Sequence, residues 1–333
     1  MTHLRPPLRR LRRVPAALLT VIMGAAVLAG CGGDDETKDE GKAGAATGFP
    51  RTVTHAMGTT EIKKKPERVV VLDTGELDDV TMLGIEPVGA VSPHMKTEGG
   101  FPQYLSAKTK DTKDVGPMAE PNIERIISLK PDLILSSKVR HAKVYDRLKG
   151  IAPTVFTETT GAPWKENLKV HAQALGLEKE AQAAMSAYEK RAKALGGEIK
   201  KKNNGTMPTA SVVRFVAGPT RLYQKASFSG IVLSDIGLRR PASQDVDAAM
   251  TDVPAEQLDK ADADLVFVTV ADDPKKTQQG AVQANPLWKG LGAVKNDKVV
   301  QVPDETWMSG IGIQAANHVV DDIAKAAGVD APE

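Results

Sequence analysis

The sequence predicts an α/β protein of two similar halves, with a long helix between them that can act as a strut. Short apolar runs alternate with helical segments on both sides of mid-chain, which is typical of parallel sheets covered on both faces. A helical pattern over Glu178–Lys202 separates these regions. A short phrase also recurs, in which a Glu stands eight residues before an Asp at the entry to a strand: Glu124 and Asp132, then Glu256 and Asp264.

The first half, residues 49–177, alternates predicted strands and helices. Apolar runs predict strands at residues 68–72, 87–91, 133–136 and 154–156, and helical patterns cover residues 76–83, 122–129, 141–149 and 163–175. Gly84 and Gly176 follow two of these helices, and Pro163 stands in the first turn of the last one. Glycine after a helix and proline at its start are the expected signals of helix ends.

The central segment, residues 178–203, has one apolar and one charged helical face. Its apolar residues recur three and four positions apart, which indicates a single stripe on an α-helix. They are Ala181, Met185, Tyr188, Ala192, Leu195 and Ile199. Such a helix spans roughly 37 Å, the diameter of a small domain. The stretch alone also fits an ordinary surface helix, and the two flanking α/β regions favour the strut.

The second half, residues 204–333, repeats the alternation. Strands are predicted at residues 211–216, 265–270 and 299–302, and helices at residues 229–236, 254–259 and 310–327. Gly237 ends the first of these helices. The recurring Glu and Asp phrase indicates two similar halves rather than one continuous sheet, although so short a match can also arise by chance.

The first 30 residues have the order of a secretory signal peptide: a basic head, an apolar run and small residues. Cys31 follows directly and is the only cysteine of the chain. Leu28-Ala29-Gly30-Cys31 resembles the bacterial lipobox, in which the cysteine is lipidated and becomes the new N-terminus. The alternative is a chance cysteine behind an ordinary signal peptide.

Residues 31–48 contain many acidic residues among Gly, Ala, Lys and Thr, without apolar periodicity, so we expect a flexible solvated tether. The whole chain has 44 basic and 42 acidic residues, and residues 1–30 contribute five arginines and no acid. The remainder therefore has 39 basic and 42 acidic residues and a net charge of −3. This balance gives no support for nucleic-acid binding.

The sequence has no recognisable enzyme or metal-site motif. Its six histidines are scattered, and none of them form a cluster with metal-site spacing. It lacks a Gly-x-Ser-x-Gly elbow, a phosphate-binding loop and a His-Glu-x-x-His pair. A surface hydrolase or lyase with an unrecognised site stays open as an alternative.

Several phrases resemble the helical-backbone substrate-binding proteins of ABC importers for iron-siderophore complexes, cobalamin and haem. Besides the lipobox they are Arg68-Val-Val-Val-Leu-Asp73-Thr74, Leu83-Gly-Ile-Glu-Pro-Val-Gly89, Asn122-Ile-Glu-Arg-Ile-Ile-Ser-Leu-Lys-Pro-Asp-Leu-Ile134 and Asp262-Ala-Asp-Leu-Val-Phe267. The resemblance spans residues 66–327. It implies two Rossmann-like α/β lobes joined by a single long helix, with the ligand cleft between the lobes. Open α/β sheets in general bind ligands beyond the carboxyl ends of their strands.

Shorter phrases resemble siderophore-binding lipoproteins, with hydroxamate binders such as those for ferrioxamine as the nearest group. They are Lys138-Val-Arg-His141, Val213-Arg-Phe215, Arg221-Leu-Tyr223, Ser227-Phe-Ser-Gly230 and Trp307-Met-Ser-Gly310. The implied protein is a receptor, lipid-anchored on the extracytoplasmic face of the cell membrane, that delivers a ferric siderophore to ABC importer permease subunits. We expect a monomer without cofactor or protein-bound metal, because the siderophore itself holds the iron. A haem, cobalamin or catecholate-siderophore receptor of the same fold is the alternative.

The candidate ligand residues are mainly arginines, because a ferric trishydroxamate presents oxygens that need fixed donors, and the guanidinium fork supplies them. Arg140 follows a predicted strand, and its alternative role is a surface residue that opens the next helix. Arg214 lies inside a strand, where a charge is costly without a partner or a ligand. Arg221 and Tyr223 share one face of an extended segment. Their alternative role is a solvated hairpin arm.

Aromatic and imidazole side chains complete the candidate set. Trp307 is expected either to wall the ligand or to cover the core, and we favour the wall. Phe228 and His94 are further candidates of the same kind. Trp164 and Trp288 lie close to prolines near helix starts, and we expect structural roles for both.

Two acidic residues match the family's docking motif. In the family, one exposed Glu on each lobe docks onto arginines of the importer's two membrane subunits, and Glu124 and Glu256 occupy the matching positions. The alternative is that both are first-turn acids that stabilise short helices.

Overall fold

The computed structural model describes residues 48–93, 100–271 and 275–333, which form two α/β lobes. The first lobe contains β1 Arg51–His55, β2 Gly58–Ile62, β3 Val69–Val71, α1 Thr74–Met82, β4 Gly89–Ser92, β5 Lys113–Pro117, α2 Ile123–Ser128, β6 Leu133–Ser137, α3 Lys138–His141, α4 Tyr145–Lys149, β7 Thr154–Thr157 and α5 Trp164–Leu175. Two 3-10 turns, Gln103–Lys108 and Ala142–Val144, complete it. Its main sheet is parallel, in the order β5-β4-β3-β6-β7, and β1 and β2 form a separate hairpin.

The second lobe follows the long helix α6, Glu178–Lys202. It contains β8 Ala210–Phe215, β9 Thr220–Tyr223, α7 Phe228–Ile236, β10 Met250–Val253, a 3-10 segment Ala255–Ala261, β11 Leu265–Val270, α8 Gln279–Ala284, α9 Pro286–Gly290, α10 Gly292–Lys295, β12 Val299–Gln301, a π-helical turn Glu305–Ser309 and α11 Ile313–Ala327. Its sheet has the order β10-β9-β8-β11-β12. β9 runs opposite to both neighbours, so this sheet is mixed.

The recurring Glu and Asp phrase occupies equivalent places in the two lobes. α2 leads into β6 and the 3-10 segment leads into β11, and each of these strands lies fourth in its sheet. Asp132 accepts from the backbone N–H of Arg68 at 2.8 Å, and Asp264 accepts from that of Thr209 at 2.7 Å. Each aspartate therefore fixes the start of the neighbouring central strand, which explains its position at a strand entry.

Helix α6 has the predicted bounds, and its buried face includes Tyr188, Leu195 and Ile199. It packs against α5 of the first lobe and against α7 and α11 of the second, so it connects the lobes as the strut hypothesis requires. A Cβ at Gly196 would collide with the carbonyl oxygen of Ile236. Glycine is needed there because the end of α7 approaches α6 closely.

A hydrophobic core crosses the boundary between the lobes. Trp164 of α5 lies edge-on to Tyr188 of α6 and to Phe228 of α7, with ring centroids 5.5 and 5.6 Å apart. Residues of α5, α6, α7 and α11 belong to this same buried cluster. The lobes are therefore joined by packing as well as by the chain.

A buried carboxylate adds a polar link between the lobes. Asp78 of α1 accepts from the backbone N–H groups of Gln314 and Ala315, both at 3.0 Å, in the first turn of α11. The Tyr104 hydroxyl also donates to Asp78 at 3.0 Å. Asp78 thus stabilises the start of a helix in the other lobe, where unpaired N–H groups and the helix dipole favour a negative charge.

One predicted helix, residues 141–149, is divided in the structure. His141 leaves helical geometry because its ring is held on both sides: Ser136 Oγ lies 2.7 Å from Nδ1, and the Met118 carbonyl lies 2.8 Å from Nε2. α3 therefore ends there, and α4 starts after a 3-10 turn. In the described ranges, no helix has the length and apolar character needed to cross a membrane.

Candidate ligand-binding cleft

A cavity of about 360 Å³ lies between the lobes. This volume falls within the roughly 300–1,000 Å³ of small-molecule sites. Its lining residues follow the carboxyl ends of strands or belong to β8, β9 and the segment before α11. They are Thr74, Pro93, Met118, Arg140, Arg214, Val216, Ala217, Arg221, Ala271, Met308, Ser309 and Ile311. The cavity therefore occupies the edge at which open α/β sheets bind ligands.

The Arg214 side chain is held in place by hydrogen bonds to Asp304 and Tyr223. Its Nε and Nη2 each donate to one carboxylate oxygen of Asp304 at 2.7 Å, and its Nη1 donates to the Tyr223 hydroxyl at 2.9 Å. Burial lowers the pKa of Arg214, but the Asp304 carboxylate outweighs this effect and raises the pKa above its ordinary value. The guanidinium is thus a permanent cation with a fixed orientation.

Arg140 presents a second cation from the first lobe. Its Nε donates to Asp73 Oδ2 at 2.8 Å, and the Asp73 side chain is fully buried. The other Asp73 oxygen accepts from the backbone N–H of Thr74 at 2.7 Å, at the start of α1. Asp73 therefore caps a helix and orients a cleft arginine at the same time.

The two arginines are connected by one series of hydrogen bonds, which we call the arginine–aspartate chain. It runs from Arg140 through Asp73 to Thr74, whose hydroxyl donates to the Ser309 carbonyl across the lobe boundary. The Ser309 hydroxyl donates to Asp304 Oδ2 at 2.9 Å, and Asp304 holds Arg214. The cationic groups of both lobes are therefore positioned relative to each other before any ligand arrives.

Arg221 and Tyr223 differ in their relation to the cavity: Arg221 lines it and Tyr223 does not. Arg221 lines the cavity, lies opposite Arg214 in the β8–β9 register and pairs with Asp252 at 3.3 Å. Tyr223 does not line the cavity, and its hydroxyl instead accepts from Arg214. The predicted face shared by the two residues exists, but Tyr223 supports an arginine instead of contacting the cavity.

The structure corrects the expectation for Trp307 and Phe228. The Trp307 ring is fully buried, stacks on Phe267 with centroids 4.5 Å apart, and donates its N–H to Asp322 at 2.8 Å. The π-helical turn points Trp307 into the core, while the next residues, Met308 and Ser309, line the cavity. Phe228 is also buried, against Trp164, so neither ring walls the cleft.

Of the remaining residues singled out from the sequence, two are buried in the core and two lie outside the described residues. Trp164 and Trp288 are buried in the core, as expected for structural residues. His94 and Cys31 lie outside the described residues. Over the described ranges, no group of three or more His, Cys, Asp or Glu side chains is placed to hold a metal ion.

The aspartates behind the cleft arginines were not predicted from the sequence. Asp73 directly follows the buried strand segment that ends at Leu72, and Asp304 follows β12 by three positions. The available signal was an acidic residue shortly after a strand, which is the central strand β3 for Asp73 and the edge strand β12 for Asp304. It was ambiguous, because aspartate is also an ordinary residue at a helix start.

Glu124 and Glu256 are both exposed, and within the described part of the chain neither makes a side-chain ion pair or hydrogen bond. Glu124 lies in α2, which follows the carboxyl end of β5, and Glu256 lies in the 3-10 segment that follows β10. β10 runs in the same direction as β8, so both segments start at the sheet edge that borders the cleft. Both carboxylates are therefore available to a partner on the cleft side.

A second, larger depression of about 750 Å³ lies at the opposite edge of the second sheet. Its carboxylates are already bound to backbone groups: Asp262 accepts from the N–H of Gly292 at 3.0 Å, and Asp264 accepts from that of Thr209. It has no converging set of donors comparable to the three cleft arginines. The interlobe cavity is therefore the better candidate site.

Buried acids lie on α1 behind Asp73. Burial and the negative charge of Asp73 raise the pKa of Glu76 to about 7. Asp79 is also buried, which raises its pKa well above the ordinary value, and its Oδ2 lies 2.7 Å from His171 Nδ1. Burial lowers the pKa of His171. The raised pKa of Glu76 therefore makes its protonation state sensitive to pH near neutrality.

Glu76→Gln is expected to flatten the pH dependence of stability. Because the pKa of Glu76 is raised on folding, its protonation favours the folded state, and stability falls as pH rises from about 4.5 to about 7. The variant should be the more stable protein at pH 8, by up to about 3 kcal/mol. Urea unfolding at pH 5 and pH 8 measures this, with exposed Glu180→Gln as the control. An equal pH slope in both variants would contradict it.

The family model described as "Periplasmic binding protein" matches residues 69–306. A probable siderophore-binding lipoprotein of Bacillus subtilis, YfiY, is 38% identical over 92% of this chain and 95% of its own. The Fe(3+)-citrate-binding protein YfmC of the same organism is 31% identical over 93% of this chain and 96% of its own.

Among solved structures, Staphylococcus aureus SirA complexed with staphyloferrin B superposes with a TM-score of 0.77. It is 36% identical to this chain and the match covers 85% of this chain and 100% of SirA. The two-lobed α/β architecture described above is therefore shared with a protein that was solved in complex with staphyloferrin B.

Proposed function

We propose that this chain, which belongs to the periplasmic binding protein family, is the siderophore-binding receptor of an ABC importer for iron. Members of this family are substrate-binding proteins and not enzymes. The proposed partners are the importer's permease subunits and the ferric siderophore. The proposed location is the extracytoplasmic face of the membrane, with the lipid on Cys31 as the anchor and a monomer as the working unit.

The observation that carries this proposal is the arginine–aspartate chain across the cleft. Among the described lining residues, the polar groups are arginines and hydroxyls, without a carboxylate. The walls between them are aliphatic or thioether side chains such as Val216, Met118 and Met308. A ferric chelate presents acceptor oxygens around its iron and carbon linkers between them, so this lining matches both parts.

We propose a hydroxamate as the ligand class. Three hydroxamate groups on ferric iron give a neutral complex with six bound oxygens, and such oxygens need donors more than they need net positive charge. The relative named for Fe(3+)-citrate keeps a carboxylate chelate as the competing candidate. Haem and catecholates receive less support, because no aromatic ring lines the described cavity.

Titration of the purified protein with a ligand panel tests the function. The panel contains ferrioxamine, ferric citrate, a ferric catecholate, haem and cobalamin, each iron chelate with its iron-free form as the control. We expect saturable binding of a ferric hydroxamate and none of its iron-free form by calorimetry. Tight binding of haem or cobalamin alone, or turnover of any ligand, would replace the proposed function.

Arg214→Ala is expected to weaken ligand capture by about 1.5–3 kcal/mol, because a charged hydrogen bond is lost. The matched control is Arg191→Ala, which removes an ion-paired arginine from α6, away from the cavity. Calorimetric affinities of both folded variants measure the difference. Equal affinities would return Arg214 to a purely structural role beside Asp304.

Cys31→Ala is expected to release the protein from the membrane, or to leave its leader uncleaved, without loss of ligand binding. The reason is that the proposed anchor is a covalent lipid at this residue and Cys31 precedes the described domain. Membrane fractionation and the mass of the processed protein measure the outcome, with Ser92→Ala as a control outside the leader. Normal processing and membrane retention of Cys31→Ala would exclude the lipobox.

A further inference from the structure

We propose that Asp73 and Asp304 set the charge that the cleft presents, and that they thereby select a ferric chelate of low net charge over an anionic one. The inference rests on the proposed function, capture of a ferric siderophore. It assigns a specificity-determining role to two residues that do not line the cavity. They are positioning residues, since they act through Arg140 and Arg214.

The two aspartates lie where a counter-charge is most effective. Their side chains are 0% and 4% exposed, whereas those of Arg140 and Arg214 are 33% and 18% exposed. The guanidinium groups thus face the cavity, and the carboxylates lie behind them, away from water. Buried charges are screened little by solvent or salt, so each carboxylate offsets part of the attraction that its arginine exerts on an anion.

The hydrogen bonds keep Asp304 in place as a counter-charge. Its two oxygens accept from Arg214 Nε and Nη2, from the Thr269 hydroxyl at 2.7 Å and from the Ser309 hydroxyl at 2.9 Å. Four donors satisfy the carboxylate, and rotating it toward the cavity would break these hydrogen bonds. The arginine keeps N–H groups that can donate to a ligand oxygen, while the charge of the pair is balanced.

Arg221 provides the contrast. It pairs with Asp252 through one bond of 3.3 Å, and the Asp252 side chain is 51% exposed. An exposed pair of this kind is weak and solvent-screened. Of the arginines that line the described cavity, two are therefore balanced by buried carboxylates and one is not. A strongly anionic chelate would bind more tightly to a site in which none of the three arginines had a buried carboxylate partner.

Asp304→Asn and Asp73→Asn remove the charge while keeping the side-chain shape. Calorimetry measures their affinity for ferrioxamine E, a neutral cyclic trishydroxamate complex, and for ferric dicitrate, an anion. The matched control is Asp235→Asn, which removes an ion-paired aspartate that contacts Lys165 and Tyr188 outside the cleft. Thermal unfolding confirms that each variant is folded, and Asp73→Asn gives an independent result if Asp304→Asn is not.

In the wild type, ferrioxamine E should bind more tightly than ferric dicitrate. Each cleft variant should shift the affinity ratio toward ferric dicitrate by at least about tenfold. Binding of the anion should also become more sensitive to salt in these variants, and Asp235→Asn should show neither change.

An unchanged ratio, or equal loss for both chelates, would overturn the inference, since the aspartates would then only position the arginines. Wild-type preference for ferric dicitrate would overturn it as well, while leaving the receptor function intact. Failure of the wild type to bind any ferric chelate would instead overturn the proposed function.

Discussion

Replacing Glu124 and Glu256 together with alanine is expected to abolish siderophore uptake while leaving ligand binding by the purified protein intact. Both carboxylates are exposed, and each lies in a short helical segment at the cleft-side edge of its sheet. The segments precede strands that hold equivalent places in the two sheets, so each lobe offers one carboxylate, which is the arrangement that two permease subunits would require.

The expected magnitude follows from the loss of two charged contacts at a docking surface. If each carboxylate accepts hydrogen bonds from a cation, removing both weakens docking by roughly a hundredfold or more. Charges at the rim of an interface act mainly on docking and its salt dependence, so the distant cleft should keep its affinity. Ile127, one helical turn after Glu124, is 46% exposed and would add an apolar contact beside the charge.

Uptake of radiolabelled iron by cells, together with calorimetry on the same variants, measures both parts of this prediction. The control Glu180→Ala with Glu198→Ala removes two exposed acids of α6 and the same total charge. Full uptake by the Glu124 and Glu256 variant would return both residues to helix stabilisation. Equal loss in the control would show a general charge effect.

Asp78→Ala is expected to lower the free energy of unfolding by roughly 3–5 kcal/mol, because it leaves buried donors without an acceptor. The orphaned groups are the N–H groups of Gln314 and Ala315 and the hydroxyl of Tyr104. They lie on both sides of the lobe boundary, so the loss should loosen the contact between α1 and α11 as well as the helix start.

Urea unfolding measures the loss, and Tyr104→Phe supplies a graded comparison, since it removes one of these hydrogen bonds at a cost of about 1 kcal/mol. Hydrogen exchange should increase most in the first turn of α11. Equal midpoints for Asp78→Ala and Tyr104→Phe would mean that the backbone N–H groups find other partners.

Much of the fold could be predicted because its signals are local. The stripe of α6, the glycine after α5 and the apolar runs of β3, β6, β8 and β11 depend on spacing along the chain. Strand β10 was not predicted, because polar residues such as Thr251 and Asp252 alternate in it, and for β9 only an extended segment around Arg221 and Tyr223 was predicted. Such strands are defined by their pairing with neighbours, which a local pattern does not contain.

The site could be predicted only in part. Arg140 and Arg214 were identified because each is tied to a predicted strand, and a charge there needs a partner or a ligand. Trp307 was misplaced because the direction of its ring depends on a π-helical turn and on the position of Phe267. Those features come from tertiary packing, and no spacing along the chain indicates them.

The core shared by α5, α6, α7 and α11 ties the folding of the two lobes together. Trp164 belongs to the first lobe by sequence, yet its ring packs against Tyr188 and Phe228, and all three side chains are almost fully buried. Separating the lobes would expose this aromatic surface to water, at a cost of about 1.5–3 kcal/mol for each large apolar side chain. Opening and closing motions that part these helices are therefore opposed by the free energy of this shared burial, which couples the stability of one lobe to that of the other.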